Sequence, residues 1–152
     1  MTWNAIVIDD SDIARQFIQA SLAEVGFSCV ADYECPVQAL QDMINERIVA
    51  DVIITDFMMP AMDGLEFCSQ VRGLSFYDDI PVVMISSRKD ADLLRRALAA
   101  GASDCLKKPF SLPELGRRLR LSMQKTRMRK PRHRTVQTRS EIARSDTRDL
   151  RQ

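Results

Sequence analysis

The chain has 152 residues and a hydrophobic content of 45%, enough for one ordinary core with little left over. No apolar run approaches the roughly 18 residues a membrane span needs, and Met1-Thr2-Trp3-Asn4 lacks the basic-then-apolar pattern of a secretory signal. The net charge of +1 hides a split: residues 1–124 carry 12 Lys+Arg against 18 Asp+Glu, a net −6, and residues 125–152 carry 10 against 3, a net +7. The expected division is an acidic domain over 1–124 and a basic tail or linker over 125–152.

In chain order, Asn4–Ile8 is a short apolar run that ends in Asp9-Asp10. Ser11 can cap a following helix with Asp12 in its first turn. Ala14, Phe17, Ile18, Leu22 and Val25 form its stripe, and Gly26 stops it. Ser28–Tyr33 reads as a second strand. Pro36 suits a helix start, with Val37, Leu40, Ile44 and Ile48 following at helical spacing. Asp51–Thr55 is a third strand, ending in Asp56. A loop with Pro60 and Gly64 leads to a helix bearing Leu65, Cys68 and Val71. Ile80–Ile85 is a fourth strand, ending in Ser86-Ser87. Leu94, Ala97 and Leu98 mark a helix closed by Gly101. Asp104–Lys107 is a brief fifth strand, and a last helix carries Leu112, Leu115 and Leu119.

Five strands alternating with five helices predict an α/β fold with a parallel sheet. The central strands are apolar without alternation, as expected when helices cover both faces. Right-handed crossovers with one reversal give a doubly wound, three-layer α/β/α sheet of flavodoxin-like order 2-1-3-4-5. Cys29, Cys35, Cys68 and Cys105 form no CxxC pair. They are expected as reduced thiols of a cytoplasmic protein, not as a disulfide framework or zinc site.

The polar residues fall at strand ends. Asp9 and Asp10 follow the first strand, Asp56 the third, Ser86 the fourth and Lys108 the fifth. In a doubly wound sheet these positions share the carboxyl edge, where ligands bind. Three carboxylates at close quarters repel unless a proton or a cation joins them. Few oxygen ligands at a solvent-facing edge suit Mg²⁺, which keeps several waters and accepts a phosphate oxygen. Lys108 offers a mobile positive charge and Ser86 a hydroxyl. These are the parts phosphoryl transfer needs, with Asp56 as nucleophile. Taken singly, Asp10 could be a helix N-terminal acid, Ser86 a helix cap, and Lys107 and Lys108 a solvated pair.

Across residues 4–124 the chain resembles the response regulator receiver domain of two-component signal transduction. The resemblance rests on Asp9-Asp10, on Asp56-Phe57-Met58-Met59-Pro60-Ala61-Met62-Asp63-Gly64, on Ser86 and on Lys108-Pro109-Phe110. Each motif is common alone; together and in order they are specific. The resemblance implies a bacterial phosphorelay switch rather than an enzyme. Asp56 is then the phosphoacceptor, and Asp9, Asp10, Asp56 and the backbone carbonyl of Met58 are the Mg²⁺ ligands. Ser86 becomes the switch hydroxyl, Lys108 the phosphate-sensing lysine, and the Lys108–Pro109 bond is expected cis. The phosphodonor is a histidine kinase or histidine phosphotransfer protein.

The chain departs from the family pattern in three respects, at four positions. Cys105 stands where Tyr or Phe is usual, so coupling is expected to rest on the Ser86 loop and the fourth helix, or the output surface needs no rotating ring. The resemblance implies that Met58 and Arg88 flank the path of the water that hydrolyses the acyl phosphate. Met58 cannot orient a water, and Arg88 can shield the phosphoryl group, so slow self-dephosphorylation is expected. Ser87 replaces a smaller residue.

The output face is expected on the fourth helix, fifth strand and fifth helix, including Arg95, Arg96, Asp104 and Arg118, which could also pair across a homodimer. The last helix is expected to run to about Lys130, where Pro131 breaks it. Beyond it Ile142, Ala143 and Leu150 are too few for a second core. This segment reads first as a linker to an effector domain, then as the end of a stand-alone receiver, and last as a basic arm. No aromatic residue interleaves its charges, which argues against nucleic-acid stacking. The competing reading is a Mg²⁺-dependent phosphatase with Asp56 as nucleophile. Met58 stands where such an enzyme needs a general acid, and cannot donate a proton.

Overall fold

The computed structural model describes residues 3–88 and 91–127. The elements are β1 (Trp3–Ile8), α1 (Asp12–Glu24), β2 (Phe27–Tyr33), α2 (Pro36–Ile44), β3 (Val52–Asp56), α3 (Gly64–Arg72), β4 (Val82–Ser86), α4 (Ala91–Ala99), β5 (Asp104–Lys107) and α5 (Leu112–Arg127). All neighbouring strands pair in parallel, in the order β2-β1-β3-β4-β5. This is the expected doubly wound sheet, and its direction reverses between β1 and β3.

The apolar strand runs split between two cores because successive side chains point to opposite faces. Ala5, Val7, Val52, Ile54, Val83, Ile85 and Leu106 pack with Ile18 and Leu22 of α1 and with Leu115, Leu119 and Met123 of α5. Ile6, Ile8, Ile53, Val82, Met84 and Cys105 pack with α2, α3 and α4 through residues such as Leu40, Met43, Phe67, Val71, Leu93 and Ala97. Every central strand is thus buried on both sides, which removes any polar alternation from its sequence.

Several helix faces differ from the expected ones. α2 ends at Ile44, and Ile48 lies in the loop beyond it, although still buried. Its buried face is Pro36, Ala39, Leu40 and Met43, while Val37 and Ile44 are exposed. In α4 the buried residues are Leu93 and Ala97, and Leu94 and Leu98 face outward. Phe17 of α1 and Leu112 of α5 are also exposed. Strand starts shift by one or two residues. β4 begins at Val82, after Pro81, which has no N–H for the ladder but accepts from Ile53 N–H at 2.9 Å. α5 is helical through Arg127, running past 124 as the expected extension of the last helix does. The expected helix end near Lys130 and the rest of the basic tail lie outside the described residues.

Candidate functional site at the carboxyl edge of the sheet

Asp9, Asp10 and Asp56 come together although 46 positions separate Asp10 from Asp56 in the chain. Each offers a carboxylate oxygen, and these oxygens all lie within 4.8 Å of one another. Parallel pairing produces this. β1 lies beside β3, with Ile8 opposite Thr55, so the chain leaves both strands at the same edge. Asp9 is buried, Asp56 partly so and Asp10 exposed.

Lys108 reaches into this group from the end of β5. Its Nζ lies 3.0 Å from Asp9 Oδ2 and 3.4 Å from Asp56 Oδ1. The backbone places it there: Ser86 pairs with Lys107, and Lys108 N–H donates to the Ser86 carbonyl at 2.8 Å. The Lys108–Pro109 bond is cis, as expected. Ser86 ends β4 and is buried; its Oγ accepts from Arg88 N–H at 3.0 Å.

The Asp56 carboxyl is held above the usual carboxylate range. Burial is the main cause and the Asp9 charge adds to it. Lys108 and the Phe57 N–H, which donates to Asp56 Oδ1 at 2.9 Å, pull the other way. One lysine therefore does not balance the local negative charge. An all-oxygen acidic group with surplus charge fits a hard divalent cation.

Of the remaining expected residues, Met58, Ser87 and Arg88 follow β3 and β4 at this edge, whereas Asp104 and Cys105 lie at the opposite, amino-terminal end of β5. Met58 is 64% exposed, and Ser87 and Arg88 are exposed. Cys105 is buried in the α2–α3–α4 core and lies opposite Met84. None of the four cysteines is in a disulfide. Asp104 and Arg118 pair within the chain, Arg118 Nη1 lying 3.0 Å from Asp104 Oδ2.

Sequence reasoning named Gly64 only as a loop and motif residue and did not single out Arg15. Gly64 packs so closely that a Cβ would lie 2.6 Å from the Asp56 carbonyl oxygen, so the turn after β3 closes only without a side chain. Arg15 of α1 donates to the Asp9 carbonyl at 2.6 Å.

Residues 5–120 match the model of the response regulator receiver domain. The response regulator MprA of Mycobacterium tuberculosis is 35% identical over 127 residues, which cover 84% of this chain and 53% of that protein. The chain therefore spans about half the length of the curated relatives it matches. Among solved structures, the Vibrio cholerae chemotaxis protein CheY4 is 28% identical with a TM-score of 0.71, covering 80% of this chain and 99% of that one. A putative response regulator from Chloroflexus aurantiacus is 25% identical with a TM-score of 0.73, covering 82% and 99%. The acidic edge lies on β1 and β3, well inside the matched span, and the chain belongs to the response regulator receiver domains, the phosphorylation-activated signalling modules of two-component systems.

Proposed function

We propose that Asp56 accepts a phosphoryl group from a phosphohistidine of a histidine kinase or histidine phosphotransfer protein. The observation that carries this is the convergence of the Asp9, Asp10 and Asp56 oxygens within 4.8 Å, with Lys108 against two of them. Asp9, Asp10, Asp56 and the Met58 backbone carbonyl would hold Mg²⁺. When bound, that ion neutralises charge on the carboxylates and the incoming phosphoryl oxygens. An Asp56 oxygen attacks phosphorus, the donor's N–P bond breaks, and an acyl phosphate remains on Asp56. Lys108 then turns from Asp56 toward a phosphoryl oxygen. The Ser86 hydroxyl, freed from the Arg88 N–H, donates to another.

A protein donor is supported by an apolar groove of about 320 Å³ beside Lys108, lined by Ala14, Phe17, Ile18, Pro109 and Phe110. Ile13, 80% exposed, lies on the same helix. The receiver domain is assigned to 1–124 and the linker or tail to 125–152, in a cytoplasmic protein. The output, or a homodimer, would use α4, β5 and α5 with Arg95 and Arg96. Asp104 and Arg118 enter such a dimer only by exchanging their internal pairing.

The test is incubation with Mg²⁺ and acetyl phosphate, followed by intact-mass analysis of wild type and Asp56→Asn. One added phosphate, absent from the variant and lost with EDTA, supports the switch. Catalytic release of inorganic phosphate with no phosphoprotein accumulating supports the phosphatase reading instead.

A further inference from the structure

Arg15 enters α1 at an unfavourable place for a cation. The helix N-terminus carries positive partial charge, so a guanidinium in its first turns is normally disfavoured. Yet the Arg15 side chain is only 12% exposed, and each of its three nitrogens donates a hydrogen bond. Nη1 donates to the Asp9 carbonyl at 2.6 Å, Nε to Asp32 Oδ2 of β2 at 3.0 Å, and Nη2 to the Asp12 carboxylate. One planar fork thus joins the β1–α1 loop, the start of α1 and the far end of β2.

The Asp9 carbonyl belongs to the peptide plane between Asp9 and Asp10. Fixing that plane sets the direction in which the Asp10 Cα presents its carboxylate. The same short segment is held from other sides. Asp9 N–H donates to the Tyr33 carbonyl at 3.1 Å, and Ser11 N–H donates to Asp9 Oδ1 at 2.9 Å. Arg15 supplies the hold on the carbonyl.

We infer that Arg15 is a positioning residue for the divalent-cation site, clamping the Asp9–Asp10 peptide plane so that both carboxylates meet Asp56 in a preset arrangement. This rests on the proposed metal-dependent function. Groups that orient metal ligands typically contribute about 10–100-fold in metal affinity. Charge alone predicts the opposite sign. A guanidinium beside a cation site repels the cation, so its removal would tighten binding if Arg15 acted only through its charge. Asp12 and Asp32 offset that charge, which leaves the clamp without its Coulombic penalty.

The experiment is a Mn²⁺ titration of the full chain, reading free Mn²⁺ by electron paramagnetic resonance, for wild type, Arg15→Gln, Arg15→Lys and Asp32→Asn. Arg15→Gln is expected to weaken Mn²⁺ binding about tenfold. Arg15→Lys, which keeps the charge but cannot bridge three acceptors, should restore little of it, and Asp32→Asn should lose a smaller part. Melting in EDTA identifies which variants remain folded. Asp32→Asn, a change at a surface carboxylate, keeps the test valid if Arg15→Gln does not fold. Unchanged or tighter binding in the folded variants overturns the clamp and leaves the proposed function standing. Failure of wild type to bind Mn²⁺ overturns both.

Discussion

The Asp56 side chain is 15% exposed, and its carboxyl is raised chiefly by burial, with the neighbouring Asp9 charge adding to it. A carboxyl whose folded pKa lies above its unfolded one binds a proton more readily in the native state. Metal-free stability therefore falls as pH rises from the ordinary carboxylate range through the Asp56 pKa, and the penalty is complete above that pKa. Asp56→Asn removes that penalty. Its melting temperature in EDTA should exceed that of wild type by a few degrees at pH 7, with the difference shrinking below pH 4. Mg²⁺ should narrow the gap by stabilising wild type more. Met58 would bear on the lifetime of an acyl phosphate formed on Asp56. Its exposed thioether cannot hydrogen-bond and align a water, so Met58→Asn should shorten the half-life of phospho-Asp56 several-fold by radiolabel decay. Asp9, Asp10, Asp56 and Lys108 are legible in the sequence because a charged residue straight after an apolar strand must lie at the sheet edge. Arg15 is not legible. A lone arginine in a helix reads as surface charge, and its significance depends on Asp32, brought beside it by β2.

Helix ends show how backbone and sequence disagree locally. α4 closes with Gly101 at φ 104°, its N–H donating to the Leu98 carbonyl at 3.1 Å while Ala102 N–H reaches the Ala97 carbonyl at 2.9 Å. α2 closes with the same pair of bonds, from Glu46 N–H to Met43 at 3.1 Å and from Arg47 N–H to Asp42 at 2.8 Å. There the left-handed position holds Glu46 at φ 54°. A non-glycine residue pays about 1–2 kcal/mol for that conformation, part of which glycine returns as unfolded-state entropy. Glu46→Gly should therefore stabilise the fold by about 0.5–1 kcal/mol, measurable by urea denaturation with an unchanged slope. Because Glu46 is no stop signal, the spacing of Ile44 and Ile48 extends the expected helix too far. The misread faces of α2 and α4 share a different cause. Val37, Ile44, Leu94 and Leu98 obey helical periodicity as well as the buried residues do, and only packing against the sheet identifies the inner face.

At the scale of the whole molecule, strand order, the two cores and the site edge all follow from alternation of elements and from handedness, which is why they could be read in advance. The sequence of the basic segment has too few apolar residues for patterning to predict its structure. The contacts that would carry a change away from the site are long-range, and no local pattern encodes them. Arg72, the last residue of α3, donates from Nε and Nη2 to the Gly101 carbonyl at 2.9 and 2.6 Å, and from Nη1 to the Tyr77 carbonyl at 3.2 Å. The C-terminal end of α4 is thereby bolted to α3, while its N-terminal end follows the Ser86 loop. With Cys105 in place of a rotating ring, a displaced Ser86 loop would act on α4 as a crank acts on a lever with its fulcrum at Gly101. Amide shifts on adding beryllofluoride and Mg²⁺ should then be largest around Leu93 and Leu94 and fade toward Ala99. Arg72→Met should spread them along the helix. Swinging about a fixed end, α4 would carry Leu94 through a wider arc than Leu98, so this outward apolar pair would tilt when the switch is thrown instead of sliding bodily across the surface.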